Sequence, residues 1–285
     1  MSSEPAVDGL TWQLSGFGDE IDDDPRVQLA VLEALGARNI EVRSAWGVNI
    51  VELDEERLGE LKKLVDAAGF GVSAIASPIG KVDVSLPVEH EVERLRRAIA
   101  AAHALGSRYV RIFSFYRGEG IPAEAVRDDV LVRMRSLADL AEHEDIVLLH
   151  ENEKEIYGDE AERVLDVVES VGSHALRLAW DNANFVQVGV RPFTDAWPLL
   201  HQHVEYLQVK DALAADGTVV PAGEGDGQLL DTVTALRDAG YRGFASLEPH
   251  LAAGFSLGGF SGPRAFGTAG RAFARLLDTI GVTSA

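Results

Sequence analysis

The chain has 285 residues, of which 46% are hydrophobic and 25% are charged, a mix that supports a large folded core. Its 26 Lys and Arg residues against 46 Asp and Glu give a formal net charge of −20, which argues against binding to nucleic acids or to anionic membrane surfaces. The absence of cysteine excludes disulfides, thiolate metal sites and cysteine nucleophiles.

No apolar run approaches the roughly 18 residues that a membrane-spanning helix needs. Residues 1–7 lack the basic and apolar segments of a secretion signal. We therefore expect a cytoplasmic protein that does not contact membranes.

A short apolar run followed by a longer segment of helical period repeats along the chain. These runs predict eight strands, at residues 12–17, 39–43, 71–77, 108–114, 146–151, 176–181, 204–210 and 244–248. The intervening segments predict eight helices, at residues 24–35, 54–68, 88–105, 123–143, 159–171, 192–203, 229–239 and 263–280.

Eight strand–helix units predict a parallel sheet with helical crossovers, which closes most simply as a single α/β (β/α)8 TIM barrel over residues 1–285. An open doubly wound sheet is the alternative, but no glycine-rich phosphate loop follows the first strand. The glycine-rich stretch 253–267, between the last strand and the last helix, is interpreted as a long loop that acts as a mobile lid.

Polar side chains stand at the predicted carboxyl ends of the strands, where a barrel builds its active site. Glu151, Asp181, Gln208 and Glu248 come from the last four strands and could converge near the barrel axis. A helix cap is the alternative for any one of them. Three carboxylates brought together would repel one another without a cation. Oxygen donors favour Mg²⁺ or Mn²⁺ as that cation.

Two basic side chains, Arg111 and Lys210, point inward by strand parity and are predicted to bind substrate oxygens, with an internal ion pair as the alternative for each. Glu41 is a further candidate for a substrate contact or for such a pair with Arg43. Asn184, just after the sixth strand, is also predicted to contact the substrate.

Two more residues are predicted to take part in catalysis. Glu153 lies on the same face as Glu151 and is either a base or a loop acid. His250 lies one inward step beyond Glu248 and is a candidate acid or substrate contact.

Five segments together resemble the xylose-isomerase-like barrel superfamily of sugar isomerases and epimerases, which includes ketose 3-epimerases and inosose dehydratases. They are Leu-Leu-His-Glu-Asn at 148–152, Trp-Asp-Asn-Ala-Asn at 180–184, Tyr-Leu-Gln-Val-Lys-Asp at 206–211, Gly-Glu-Gly-Asp at 223–226 and Ser-Leu-Glu at 246–248. In that family a Glu, an Asp, a His and a Glu bind one divalent metal, often Mn²⁺. The resemblance implies Glu151, Asp181 and Glu248 as ligands.

The fourth ligand position departs from the family, because Gln208 stands where a His is expected. An amide oxygen can still bind a hard metal, but it brings no basicity. This departure favours the dehydratase-type members, some of which carry Gln at this position.

The resemblance implies an isomerase or epimerase of a small sugar or polyol ketone. The metal, Mn²⁺ or alternatively Mg²⁺, Co²⁺ or Zn²⁺, would polarise the substrate carbonyl, and Glu151 and Glu248 would move the proton α to it. One alternative is a lyase, either a dehydratase or a β-eliminase, acting on a keto-sugar, keto-inositol or 3-keto-glycoside. Another is an inactive barrel that serves as a binding subunit.

An abasic-site endonuclease of the same superfamily is disfavoured, because the early strand ends carry no His and the chain is acidic. The partner we expect is a small carbohydrate, and the resemblance also implies a homo-oligomer.

Overall fold

Eight strands follow one another around the barrel in the same order as in the chain. The structure is a computed structural model that describes residues 10–252 and 259–285. The strands are β1 (Thr11–Gly16), β2 (Asn39–Val42), β3 (Gly71–Ala76), β4 (Tyr109–Ile112), β5 (Val147–Glu151), β6 (Leu176–Asp181), β7 (Val204–Val209) and β8 (Phe244–Leu247). Neighbouring strands pair in parallel from β2 through β8 and on to β1.

A parallel bridge between Phe17 and Glu41 joins the end of β1 to β2 and closes the ring. The prediction of an eight-stranded α/β barrel is therefore confirmed, and the alternative of an open sheet is wrong. A short ninth strand of the sheet, Thr283–Ser284, pairs with the amino end of β1 and was not predicted.

Helices return the chain from the end of each strand to the start of the next. They are α1 (Pro25–Ala34), α2 (Glu55–Ala67), α3 (Val88–Leu105), α4 (Ala123–His143), α5 (Ala161–Val171), α6 (Asn182–Gln187), α7 (Trp197–Leu200), α8 (Leu229–Asp238) and α9 (Gly262–Ile280). Asp24 and Asp54 cap α1 and α2, since their side chains accept hydrogen bonds from backbone N–H groups of the first turn.

Between β6 and β7 one predicted helix is wrong and one short helix was missed. The expected helix 192–203 is divided into a π-helical turn, Pro192–Ala196, then α7, then a 3-10 turn, His201–His203. Pro198 lacks the N–H that an uninterrupted helix would need there. The short helix α6 was not predicted and starts directly after Asp181, whose Oδ1 accepts a hydrogen bond of 2.8 Å from the N–H of Asn184.

The two ends of the barrel interior differ in polarity. Toward the amino ends of the strands, a buried cluster fills the axis with Ala74, Tyr109, Leu149, Ala179 and Tyr206. The rings of Tyr109 and Tyr206 meet edge to face, with centroids 6.1 Å apart. The inward positions that follow along β5 and β6 are Glu151 and Asp181. The barrel interior is therefore closed and apolar at the amino ends of the strands and polar at their carboxyl ends.

The loop predicted at residues 253–267 ends earlier in the structure than expected. Residues 262–267 form the first turns of α9, and residues 253–258, on which the lid interpretation depends, lie outside the described residues. None of the helices in the described part of the chain has the length and apolar character to cross a bilayer.

Candidate active site

Three buried carboxylates meet at the carboxyl ends of the strands. Glu151 and Asp181 are the last residues of β5 and β6, and Glu248 directly follows β8. One oxygen of each lies within 4.8 Å of the other two. Their side chains converge because each occupies an inward position at the same end of a closed barrel. The structure thus brings together the three acidic members of the predicted ligand set.

Gln208, the fourth predicted ligand, lies on β7 directly beside Asp181 in the strand register. It is fully buried. Its Nε2 donates a hydrogen bond of 3.3 Å to Glu41 Oε1, whereas its Oε1 has no hydrogen-bond partner among the described residues. A buried amide oxygen without a partner is uncommon in folded proteins, and amide oxygens are among the groups that bind hard cations.

Two basic side chains, Lys210 and Arg111, form ion pairs with the three carboxylates. Lys210 Nζ lies 2.8 Å from Asp181 Oδ2 and 3.0 Å from Glu248 Oε2. Arg111 Nη1 donates a hydrogen bond of 2.9 Å to Glu151 Oε2. Each acid therefore has a cationic neighbour, which offsets part of the cost of removing it from water.

All three carboxyl groups are buried, but their pKa values are shifted in different directions because their charged neighbours differ. Burial raises the pKa of Glu151 despite the opposing charge of Arg111. It also raises the pKa of Asp181, to about 7, against the attraction of Lys210. At Glu248 the effect of burial is outweighed by Lys210 and His250, and the pKa falls well below its ordinary value. Such divergence between neighbouring acids is typical of sites that move protons.

His250 follows Glu248 closely and has a left-handed backbone, with φ of 45°. Its N–H donates a hydrogen bond of 2.9 Å to Glu20 Oε2. Its ring Nε2 lies 3.1 Å from Glu20 Oε1 and 3.4 Å from Glu248 Oε1. Burial alone would lower the pKa of His250, but Glu248 and Glu20 outweigh it and raise that pKa to about 9. The imidazolium therefore links the ends of β1 and β8.

A cavity of about 70 Å³ lies over this cluster. It is lined by Arg43, Asn49, Ala76, Pro78, Lys81, Arg111, Glu151, Glu153, Lys210, Glu248 and His250. At its mouth Lys81 Nζ lies 2.9 Å from Glu153 Oε2, and Lys81 also lies 4.2 Å from the centroid of the Phe113 ring. A larger cavity, of about 640 Å³, is formed by residues 116–121 and Glu155 and contains none of the predicted site residues.

Two predicted substrate contacts, Asn184 and Glu41, do not line the cavity. Asn184 Nδ2 donates hydrogen bonds of 2.9 Å to Glu151 Oε1 and to the carbonyl of Asn152. It therefore fixes the position of the Glu151 carboxylate without lining the cavity. Glu41 lies below Gln208 and accepts a hydrogen bond of 2.8 Å from the hydroxyl of Tyr206. Burial raises the pKa of Glu41 to about 7 against the charge of Arg111. For both residues a direct contact with substrate stays a prediction.

Five cavity residues were missing from the predicted site, and three of them are polar: Arg43, Asn49 and Lys81. A pair with Arg43 was one of the two predicted alternatives for Glu41, but Arg43 Nε donates a hydrogen bond of 2.8 Å to Asp19 and its Nη1 lies 3.5 Å from Glu248 Oε1. Its position two residues after Glu41 was the signal that could have placed it at the mouth. Asn49 comes from a hairpin, Ser44–Ala45 with Val48–Asn49, that has no periodic signature in the sequence.

Asp211, which follows the predicted ligand strand, organises the adjacent glycine-rich loop. Its two carboxylate oxygens accept hydrogen bonds of 2.9 to 3.1 Å from the backbone N–H groups of Ala212, Gly223, Gly225 and Gly227. The side chain is fully buried. The segments 206–211 and 223–226 are therefore parts of one unit of structure.

Residues 29–265 match the family described as xylose isomerase-like TIM barrel. A curated relative, 2-epi-5-epi-valiolone 7-phosphate 2-epimerase of Actinoplanes sp. (strain ATCC 31044 / CBS 674.73 / SE50/110), is 29% identical over 216 residues, which are 71% of this chain and 77% of that protein.

Two solved structures share the fold over almost the whole chain. The IOLI protein with a bound zinc atom has a TM-score of 0.77 at 16% identity, covering 94% of this chain and 99% of that one. The probable 3-DHS dehydratase AsbF from Bacillus anthracis has a TM-score of 0.72 at 15% identity, covering 93% of this chain and 98% of that one. At such identities the likeness concerns the fold.

Proposed function

The chain belongs to the xylose isomerase-like TIM barrel family, and from this premise we propose that it is a divalent-metal-dependent isomerase or epimerase of a small sugar or polyol ketone. The observation that carries the proposal is the convergence of Glu151, Asp181 and Glu248, with one oxygen of each within 4.8 Å of the others. The name of the curated relative, an epimerase, supports the same class of reaction.

The residues of the site fit a divalent cation. Glu151, Asp181 and Glu248 supply carboxylate oxygens, and the unpartnered amide oxygen of Gln208 supplies a fourth donor on the neighbouring strand. Because all four donors are oxygens, we propose Mn²⁺ as the preferred ion and Mg²⁺, Co²⁺ and Zn²⁺ as alternatives. The zinc atom of the IOLI structure supports metal binding on this fold.

When bound, the metal would stabilise negative charge that develops on the substrate carbonyl oxygen. The chain itself moves the protons. Glu151 and Glu248 come from strands on different sides of the axis, so we assign them to removal of the α proton and to its return on the opposite face. His250 Nε2, 3.4 Å from Glu248 Oε1, lies where it can exchange a proton with that carboxylate.

Other side chains bind and orient the substrate in this proposal. Arg111 and Lys210 line the cavity beside the acids and can donate hydrogen bonds to sugar oxygens. Lys81 and Glu153 lie at the mouth, where they meet the end of the substrate that does not react. Burial of the acids excludes bulk water from the reacting carbon.

A metal-dependent lyase is the second candidate. Gln208 in place of a histidine removes a base from the ligand set. The cationic His250 can protonate a departing hydroxyl or aglycone, and the Lys210 amine can donate a hydrogen bond to it. The fold shared with a protein described as a probable dehydratase supports this alternative. The two reactions share the first proton transfer and differ in what the resulting anion does next.

The first test is elemental mass spectrometry of protein purified without chelator, for the wild type, Glu248→Gln and the matched control Glu153→Gln. We expect about one equivalent of divalent metal in the wild type and in the control, and clearly less in Glu248→Gln. A wild type that holds no metal and shows no thermal shift with Mn²⁺ would overturn metal dependence and favour an inactive binding subunit.

Reaction in D₂O then separates the two candidate reactions. An isomerase or epimerase returns a product of the substrate's formula that carries deuterium at the α carbon. A lyase returns a product that is lighter by water or by an aglycone.

A further inference from the structure

The buried amide of Gln208 is held in one orientation by Glu41 of β2, three strands away around the barrel. Its Nε2 donates to Glu41 Oε1 over 3.3 Å, although 167 residues separate the two in the chain. Both side chains are fully buried. The amide oxygen is therefore directed elsewhere, and no described residue donates a hydrogen bond to it.

Glu41 is itself fixed, because Tyr206 Oη donates a hydrogen bond of 2.8 Å to its other oxygen, Oε2. In its ionised form a carboxyl group only accepts hydrogen bonds, so ionised Glu41 selects the NH₂ end of the neighbouring amide. Without such a partner, the two ends of the Gln208 amide would be free to exchange places, and the NH₂ end cannot bind a cation.

We propose that Glu41 is a positioning residue that presents Gln208 Oε1 to the divalent cation, so that the ligand set consists of oxygens alone. The inference rests on the proposed metal dependence and adds a cause for metal preference. Imidazole ligands suit Zn²⁺ and other transition metals, whereas carboxylate and amide oxygens suit Mn²⁺ and Mg²⁺. The Glu41–Gln208 pair therefore selects Mn²⁺ or Mg²⁺ over Zn²⁺.

A double-mutant cycle tests the pair, with the affinity for Mn²⁺ measured by electron paramagnetic resonance. The variants are Glu41→Gln, Gln208→Met and the double variant, each checked for its fold by circular dichroism. We expect each single variant to weaken Mn²⁺ binding by about 10- to 100-fold. If Glu41 acts through Gln208, the double variant should bind Mn²⁺ about as tightly as the single variant with the lower affinity, because the two losses of binding free energy are not additive.

Multiplicative losses in the double variant, or an unchanged affinity in Glu41→Gln, would overturn the inference and leave the proposed function intact. A wild type that does not bind Mn²⁺ would instead overturn both, so the two failures can be told apart.

Gln208→His keeps the proposal testable if Glu41→Gln does not fold. A histidine can donate one ring N–H to Glu41 and offer the other nitrogen to the metal. We expect the ratio of Zn²⁺ to Mn²⁺ affinity, measured by competition with a chelating dye, to rise by about 10-fold or more. An unchanged ratio would mean that residue 208 is not a ligand.

Discussion

Lys210 Nζ lies 2.8 Å from Asp181 Oδ2 at the carboxyl end of the barrel strands, where both side chains are buried. The same amine lies 3.0 Å from Glu248 Oε2, so one cation joins two acids from different strands. The charges of Asp181 and Glu248 keep the pKa of Lys210 well above its usual value despite burial. A divalent metal bound by these acids would share their negative charge with Lys210.

The first prediction follows because Lys210 and a divalent metal would compete for the same two carboxylates. Lys210→Met removes the amine and leaves buried carboxylates without their partner, which should lower the free energy of unfolding by about 3 to 5 kcal/mol in the absence of metal. Added Mn²⁺ should then raise the melting temperature of the variant by more than it raises that of the wild type. Differential scanning fluorimetry with and without Mn²⁺ measures both effects.

Lys62→Met is the matched control, because Lys62 pairs with Asp66 on the exposed face of α2. It should change stability by less than about 1 kcal/mol and leave the Mn²⁺ shift unaltered. Equal Mn²⁺ shifts in Lys210→Met and the wild type would show that Lys210 and the metal do not share ligands.

The second prediction separates two glutamates that are two residues apart. Glu151→Gln removes a carboxylate of the convergent cluster and should slow exchange of the substrate's α proton by about 10²- to 10⁴-fold. Glu153→Gln should slow it by less than about 10-fold, since Glu153 is engaged by Lys81 at the cavity mouth. Proton NMR in D₂O with a panel of keto-sugars follows the exchange. Equal losses would place Glu153 in the proton transfer itself.

The third prediction concerns the loop that Asp211 organises. Asp211→Ala removes the acceptor of four backbone N–H groups and should cost about 2 to 4 kcal/mol in urea unfolding. Hydrogen exchange at Gly223, Gly225 and Gly227 should become faster. Asp216→Ala, which removes an exposed acid that accepts a hydrogen bond from the N–H of Thr218, should leave the urea unfolding midpoint nearly unchanged. Unchanged exchange at the three glycines would refute the role of Asp211.

The fourth prediction compares two glycines with positive φ. Gly80 has φ of 83°, and a Cβ there would overlap the carbonyl of Phe113. Gly80→Ala should therefore cost about 3 to 5 kcal/mol, from backbone strain and overpacking together. Gly120 has φ of 71° with nothing near a Cβ, so Gly120→Ala should cost about 1 kcal/mol. Similar unfolding midpoints in urea for the two variants would contradict this difference.

Local sequence patterns were sufficient to predict the strands and most of the helices. The apolar runs predicted β1 to β8 to within a few residues, because strand and helix periods depend on neighbours in sequence. The pattern failed at residues 192–203, where Pro198 interrupts an apolar helical period. It also missed α6, which is short and depends on a cap from Asp181.

The sequence by itself determined which acids end the strands, because parity and strand order place Glu151, Asp181 and Glu248 at the same end of any closed barrel. Only the tertiary structure decided how the buried side chains pair: Arg43 with Asp19 rather than Glu41, and Gln208 with Glu41. The physical reason is that such pairs join residues far apart in the chain, and their distances depend on strand register and barrel closure.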